Sequence, residues 1–160
     1  MKDSSVRQYS GFTMIELVIV IIVLGILAAY VTVKYNGLAG SARRSVVKTL
    51  ASSVKSASAM AHANLSIKHN LHLKGKTVID GETVAVAYGF AEPSKDGIVL
   101  LLDQDAFKDF DISSSSKDHS ITFQHQGARE GKDGCKVVYT YDSTKSGNVP
   151  KITVDYDDCD

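Results

Sequence analysis

Apolar and polar positions divide the chain into two regimes. Residues 17–33, "LVIVIIVLGILAAYVTV", contain no charged side chain, so a helix built from them is apolar on every side. Extending back to Phe12 gives a run interrupted by Thr13, Glu16 and a few weakly polar positions. At about 1.5 Å per residue the run is roughly 33 Å of helix, enough to cross a hydrocarbon core of about 30 Å. Beyond it the pattern changes. Ala42, Val46, Leu50, Val54, Ala57, Ala61 and Leu65 recur at three- and four-residue spacing. That spacing predicts a helix to about Leu65, with one apolar stripe laid on a sheet. Arg43, Arg44, Lys48 and Lys55 fall largely beside or opposite the stripe. The segment "YNGLAG" carries Gly37 and Gly40, and each glycine costs about 1 kcal/mol in a helix interior. A local break or bend is expected there, with Gly25 a further point of flexibility.

The remaining chain predicts mostly strands. "HNLHLKGK" reads as a loop. "KTVIDGETVAVAYGF" reads as a hairpin, 77–79 and 83–88, turning at Asp80-Gly81. Residues 98–102 suit a strand or a short helix, and the spacing of Leu101, Phe107 and Phe110 favours the helix. "SSSSKD" reads as a loop. "HSITFQHQ", "CKVVYTYD" and "PKITVDYDDC" read as three strands of one antiparallel sheet, joined by the turns "GAREGKDG" and "STKSGN". The expected architecture is α+β, a long N-terminal helix with a protruding apolar half, packed on an antiparallel sheet. The chain then divides into four segments: 1–11, a polar leader; 12–35, the apolar helix; 36–66, the amphipathic half; and 67–160, a globular head.

Charge adds an asymmetry that the overall balance, 18 basic against 18 acidic residues, conceals. Residues 34–76 hold eight Lys/Arg and no acid, whereas residues 80–160 hold 16 acids against eight bases. The two pieces carry about +8 and −8. They can neutralise each other within one folded subunit, or between subunits. The basic helix lacks interleaved aromatics beyond Tyr30 and Tyr35, which speaks against nucleic acid as a partner.

The two cysteines, Cys135 and Cys159, both lie in the acidic part. In an exported chain they form one disulfide, pinning the C-terminal strand to its neighbour; in a cytosolic chain they remain thiols. The leader carries Lys2 and Arg7 against Asp3, which holds the N-terminus in the cytoplasm and exports the chain beyond the apolar run. No convincing A-x-A site comes after the run, and the small residue sits before it, at Gly11.

"GFTMIELVIVIIVLGILAA" resembles the start of a type IV prepilin or pseudopilin, with its class III leader. Gly11, Phe12 and Glu16 match the family pattern residue by residue: a leader ending in Gly, then Phe, then Glu at the fifth mature position, then an apolar helix. The resemblance implies the type IV pilin fold, cleavage between Gly11 and Phe12 by a prepilin peptidase, N-methylation of Phe12, and assembly by the pilus machinery into a helical homopolymer. It implies a precursor in the bacterial inner membrane, then an extracellular filament that attaches to host or abiotic surfaces or drives motility. "NGLAGSARRS" and the C-terminal layout are similar to mannose-sensitive haemagglutinin-type pilins. Many relatives carry proline where this chain has Val33, so melting of the helix would have to rely on Gly25. The alternatives are a pseudopilin of a type II secretion system and a singly anchored binding module.

Glu16 is costly in lipid, where a charged side chain at mid-span is unfavourable by about 2.5–3.5 kcal/mol. It can cap its own helix, where the dipole favours an anion. It can also meet the α-amine of a neighbour's Phe12 inside a filament and so select axial register. The second role fits the resemblance and is preferred.

Other chemistry is sparse. The five histidines show no converging metal-ligand spacing. The end "DYDDCD" offers oxygen ligands for calcium, but strand alternation would split them across two faces. No nucleophile elbow, phosphate loop, dinucleotide or zinc pattern is present. No enzyme activity, metal or cofactor is expected.

Overall fold

The computed structural model describes residues 11–128 and 133–159, and within α1 it leaves out the side chains of Val33 and Asn36. The leader residues 1–10, the side chain at Val33 and part of the "GAREGKDG" turn therefore lie outside the described residues. Helix α1 runs from Met14–Ile67, 54 residues. It passes through Gly25, Gly37 and Gly40 without interruption, so of the break or bend expected at "YNGLAG" the break does not occur. Two glycines cost less than the backbone hydrogen bonds that a break would forfeit where the chain is apolar. By contacts the chain divides into two compact units, one ending at Leu38 and one beginning at Ala39.

From Met14 onward, the first unit is helix. Its leucines, isoleucines and valines are exposed on every side, and α1 is long and apolar enough to cross a membrane by length and composition. The hydroxyl of Thr32 donates back to the carbonyl of Ala28 at 2.9 Å, so this polar group is satisfied within the helix.

In the second unit, α1 buries Val47, Leu50, Val54, Ala57, Ser58, Ala61 and Leu65. Five of the seven stripe positions expected from the sequence are among them. Ala42 and Val46 are exposed, and Val47 takes the place assigned to Val46. Both steps to Leu50, of three or four residues, keep a helix face, so periodicity alone does not choose between them. The helix closes in a Schellman turn. The amide of Asn70 donates to Leu65 O at 2.9 Å and that of His69 to Ser66 O at 3.1 Å, with His69 left-handed at φ 54°.

Two sheets cover the stripe. The first contains β1 (Lys74–Ile79), β2 (Glu82–Ala87) and β3 (Phe90–Ala91), all antiparallel. Asp80-Gly81 has φ of 52° and 85°, the two positive angles that a two-residue type I′ hairpin requires, as the sequence suggested. Tyr88-Gly89 repeats that geometry at 47° and 92° and makes the short strand β3, which the sequence reading did not separate. The second sheet is a meander of β4 (Phe110–Ser115), β5 (Ser120–His125), β6 (Lys136–Thr140) and β7 (Lys151–Asp155). Its last three strands are those expected. The single sheet is corrected to two, and most of the serine run expected as a loop is strand, because β4 pairs along its length with β5 from Phe110↔His125 to Ser115↔Ser120. Between the sheets, the segment expected as a short helix forms two 3-10 turns, Ile98–Leu101 and Gln104–Phe107. Asp103 starts the second turn by accepting from the amide of Asp105 at 3.0 Å.

The sheets are tied by two buried phenols. Tyr139 donates to Ala91 O at 2.8 Å, and Tyr141 to Ala87 O at 2.7 Å. Each joins β6 or its end to the first sheet. At the other edge, Cys135 and Cys159 form a disulfide across 24 residues of sequence. It links the residue before β6 to the end of the described chain. Arg43 of α1 donates to Cys159 O at 3.1 Å, so the helix also holds that end. Gly134 packs so tightly on the backbone of Asp157 that a Cβ there would overlap the Asp157 carbonyl.

Two outcomes are expected. Replacing both cysteines with alanine should lower unfolding free energy by about 3 kcal/mol, from the loop closed, measured by denaturant unfolding of the detergent-solubilised chain. Burial raises the pKa of Tyr139 and of Tyr141 above the ordinary 10.0. The folded head keeps these phenols protonated while the unfolded chain releases them. Their contribution is therefore complete below about pH 10 and drains as pH rises from there toward the raised folded values. Stability should fall steeply above pH 10, and Tyr139→Phe should flatten that slope in unfolding curves taken at stepped pH.

Candidate functional site

The segment Gly11–Phe12–Thr13 is non-helical, and α1 begins immediately after it. Phe12 is 88 % exposed, and nothing crowds Gly11 within 4 Å. The Gly11–Phe12 peptide bond thus lies outside the helix, in backbone that a peptidase can take up in extended form.

Thr13 and Glu16 form a reciprocal cap. The Glu16 carboxylate Oε2 accepts from the Thr13 amide at 2.7 Å and from the Thr13 hydroxyl at 2.8 Å. In return, the Glu16 amide donates to Thr13 Oγ1 at 3.3 Å. This is a capping box, T-x-x-E, which satisfies two of the amides that every helix start leaves without a partner. The carboxylate also sits in the first turn, where the helix dipole favours negative charge. Sequence reasoning singled out Glu16 and its capping role but missed Thr13. The signal was present, since threonine three residues before glutamate, ahead of an apolar run, is a sequence mark of this cap.

The cap occupies one carboxylate oxygen. Glu16 Oε1 accepts nothing from the described residues, so capping leaves an acceptor open to a cation from elsewhere.

Two histidines and one carboxylate of the head are engaged in local hydrogen bonds. His62 Nδ1 lies 2.9 Å from Gly89 O, and its ring stacks on Phe90 at 4.5 Å. His125 Nδ1 accepts from the Gly127 amide at 2.9 Å. Burial, then repulsion by Arg43, holds the His125 pKa below its ordinary 6.5 against the pull of Asp109. In the acidic C-terminus, Asp155 turns back to accept from the Asp157 amide at 3.0 Å. Among the described residues, no three His, Cys, Asp or Glu side chains are grouped to hold a metal ion.

Residues 6–32 match the family model described as the prokaryotic N-terminal methylation motif. The match covers Gly11, Phe12, the Thr13–Glu16 cap and most of the apolar run. No curated protein and no solved structure matches the chain. The motif supports a subunit with a type IV pilin-like leader, whether pilin or pseudopilin.

Removing the cap is testable on its own. Thr13→Ala should destabilise the helix start by about 1 kcal/mol. In micelles, amide hydrogen exchange at residues 14–16 should then speed several-fold while exchange in the head is unchanged.

Proposed function

We propose that the chain is a structural subunit of a type IV pilus. The observation that carries this reading is the Gly11–Phe12–Glu16 set at the head of a helix apolar on all sides, within a segment that matches the methylation motif. In this reading a prepilin peptidase cuts between Gly11 and Phe12, and Phe12 is N-methylated. The apolar half of α1 holds the subunit in the inner membrane until the assembly machinery moves it into a helical homopolymer outside the cell. The role is structural, without catalysis or a cofactor, and the filament serves attachment to a surface or motility.

The chemistry of assembly comes from the cut. Cleavage creates an α-amine on Phe12 with an ordinary pKa of about 7.7–8.0, cationic at neutral pH. Methylation leaves that charge in place. In lipid the carboxylate of Glu16 is held by Thr13. In a filament the amine of an incoming subunit can reach Oε1 of a neighbour. An unpaired charge in an apolar bundle is strongly disfavoured, so the pair selects one axial register.

The methylation motif would serve a pseudopilin of a type II secretion system equally well. The Cys135–Cys159 disulfide favours the pilin, because it closes the C-terminal strands where the resemblance implies a disulfide-bounded region exposed on the filament. The finer similarity, to mannose-sensitive haemagglutinin-type pilins, rests on "NGLAGSARRS" and that layout.

Glu16→Ala is expected to enter the membrane at the normal level, be cleaved, and yield few fibres. Electron microscopy of sheared surface material, with mass spectrometry of its subunit, checks this. Wild-type fibres should begin at Phe12 carrying one added methyl group. Normal fibre yield from the variant would remove the register role, and a wild-type subunit still carrying residues 1–11 would remove the reading as a whole.

A further inference from the structure

The two charged halves of the sequence do not fully neutralise each other within the head. Lys48 and Lys55 are exposed on α1 and have no ion-pair partner among the described residues. Pairs that do form, such as Lys76–Asp96 at 3.3 Å and Lys145–Asp142 at 3.9 Å, lie elsewhere. Glu82 and Asp103 are likewise exposed without a cationic partner among the described residues.

Lys55 and Asp103 each line one of two open grooves along α1. One, of about 460 Å³, is lined by Lys55 and His62 of the helix and by Phe90, Val149, Pro150 and Ile152 beside it. Val149 is 73 % exposed. The other, of about 420 Å³, is lined by Ser53 and Met60 of the helix and by Leu101, Leu102, Asp103 and Ala106 of the 3-10 turns. An adjoining hollow continues it to Asp80, Glu82 and Leu100, the last 40 % exposed. At 3.6 residues per turn Lys55 and His62 stand about 160° around the helix from Ser53 and Met60. One flank is therefore apolar and basic and the other apolar and acidic, and they open on different sides of the same helix.

We propose that these flanks are the two halves of one contact between copies of this chain. The acidic flank of one head, Glu82, Leu100 and Asp103, docks on the basic flank of the next, where Lys55 lines the groove of Phe90, Val149 and Ile152 and Lys48 lies about two turns before it on the same helix face. The contact rests on the pilin reading above and names how heads meet. Because it joins two different patches, it adds subunits head to tail and extends a polymer unless the rotation closes a ring. A symmetric pair built on one flank would set lysines against lysines or acids against acids, and because the two flanks open on different sides of the helix a single two-fold contact cannot engage both. Charge thus gives the contact its direction, and the apolar floors remove surface from water.

The test uses the full-length chain in cells that carry its assembly machinery. Lys48→Glu with Lys55→Glu, and separately Glu82→Lys with Asp103→Lys, are each expected to cut sheared fibre yield about tenfold or more, since like charges then face each other. All four changes together should restore fibres, with each variant present in the membrane at the wild-type level. In isolated wild-type fibres, a zero-length carbodiimide should join Lys48 or Lys55 to Glu82 or Asp103 of a neighbouring subunit, read as cross-linked peptides. Unchanged yield from both swaps, no restoration by the combination, or no such peptides overturns this contact while wild-type fibres keep the pilin reading intact. A wild-type chain that forms no polymer overturns both.

Discussion

Apolar surface on α1 has to leave water twice, by two different means, and the rest of the molecule depends on that. Between Leu17 and Val31 the helix is apolar all round, and its side chains are exposed on every side. Its solvent is lipid or other helices. Between Val47 and Leu65 it is apolar along one stripe, and the two sheets remove that stripe from water. The same backbone geometry runs through both parts, so the difference lies entirely in where the side chains are apolar.

The head solves a problem of size. A unit of this length has a modest core, in which burying a polar group without a partner is costly. Tyr139 and Tyr141 contribute large apolar rings to the core while their hydroxyls take up carbonyls of the first sheet. They join two sheets that share no strand pairing. The disulfide and the Arg43 bond to Cys159 hold the opposite edge, where Gly134 allows the two chain segments to approach closely. The cross-links therefore stand at both ends of β6, the strand that carries Val137 and Tyr139 into the core.

Glu16 shows how a charge can be tolerated in a segment otherwise suited to lipid. Its partner within the subunit is Thr13, three residues away, so the carboxylate completes the helix start at the edge of the apolar run. A cap of this kind is local and survives a change of surroundings. The cap engages one carboxylate oxygen and leaves the other without a partner among the described residues.

Much of this was legible in the residues. The apolar run, a helix to about Leu65, the Asp80-Gly81 hairpin, the last three strands and the cysteine pairing all come from local pattern. So do Gly11, Phe12 and Glu16, through the spacing they share with a known leader, while Thr13 was legible but overlooked. The remainder was decided in three dimensions. Whether Val46 or Val47 enters the core depends on the sheet that meets the helix, because both fit the helical period. The serines 113–115 became strand through pairing with β5, which no propensity of serine announces. The division into two sheets turns on a second tight hairpin at Tyr88-Gly89. The opposite flanks of α1, with lysines on one side and acids on the other, bring together residues far apart in sequence. The sequence by itself determined which surfaces must be hidden from water, because that is a property of each side chain and its period. Tertiary structure alone decided which charges were left unpaired, because that depends on the groups that lie beside them once the chain has folded.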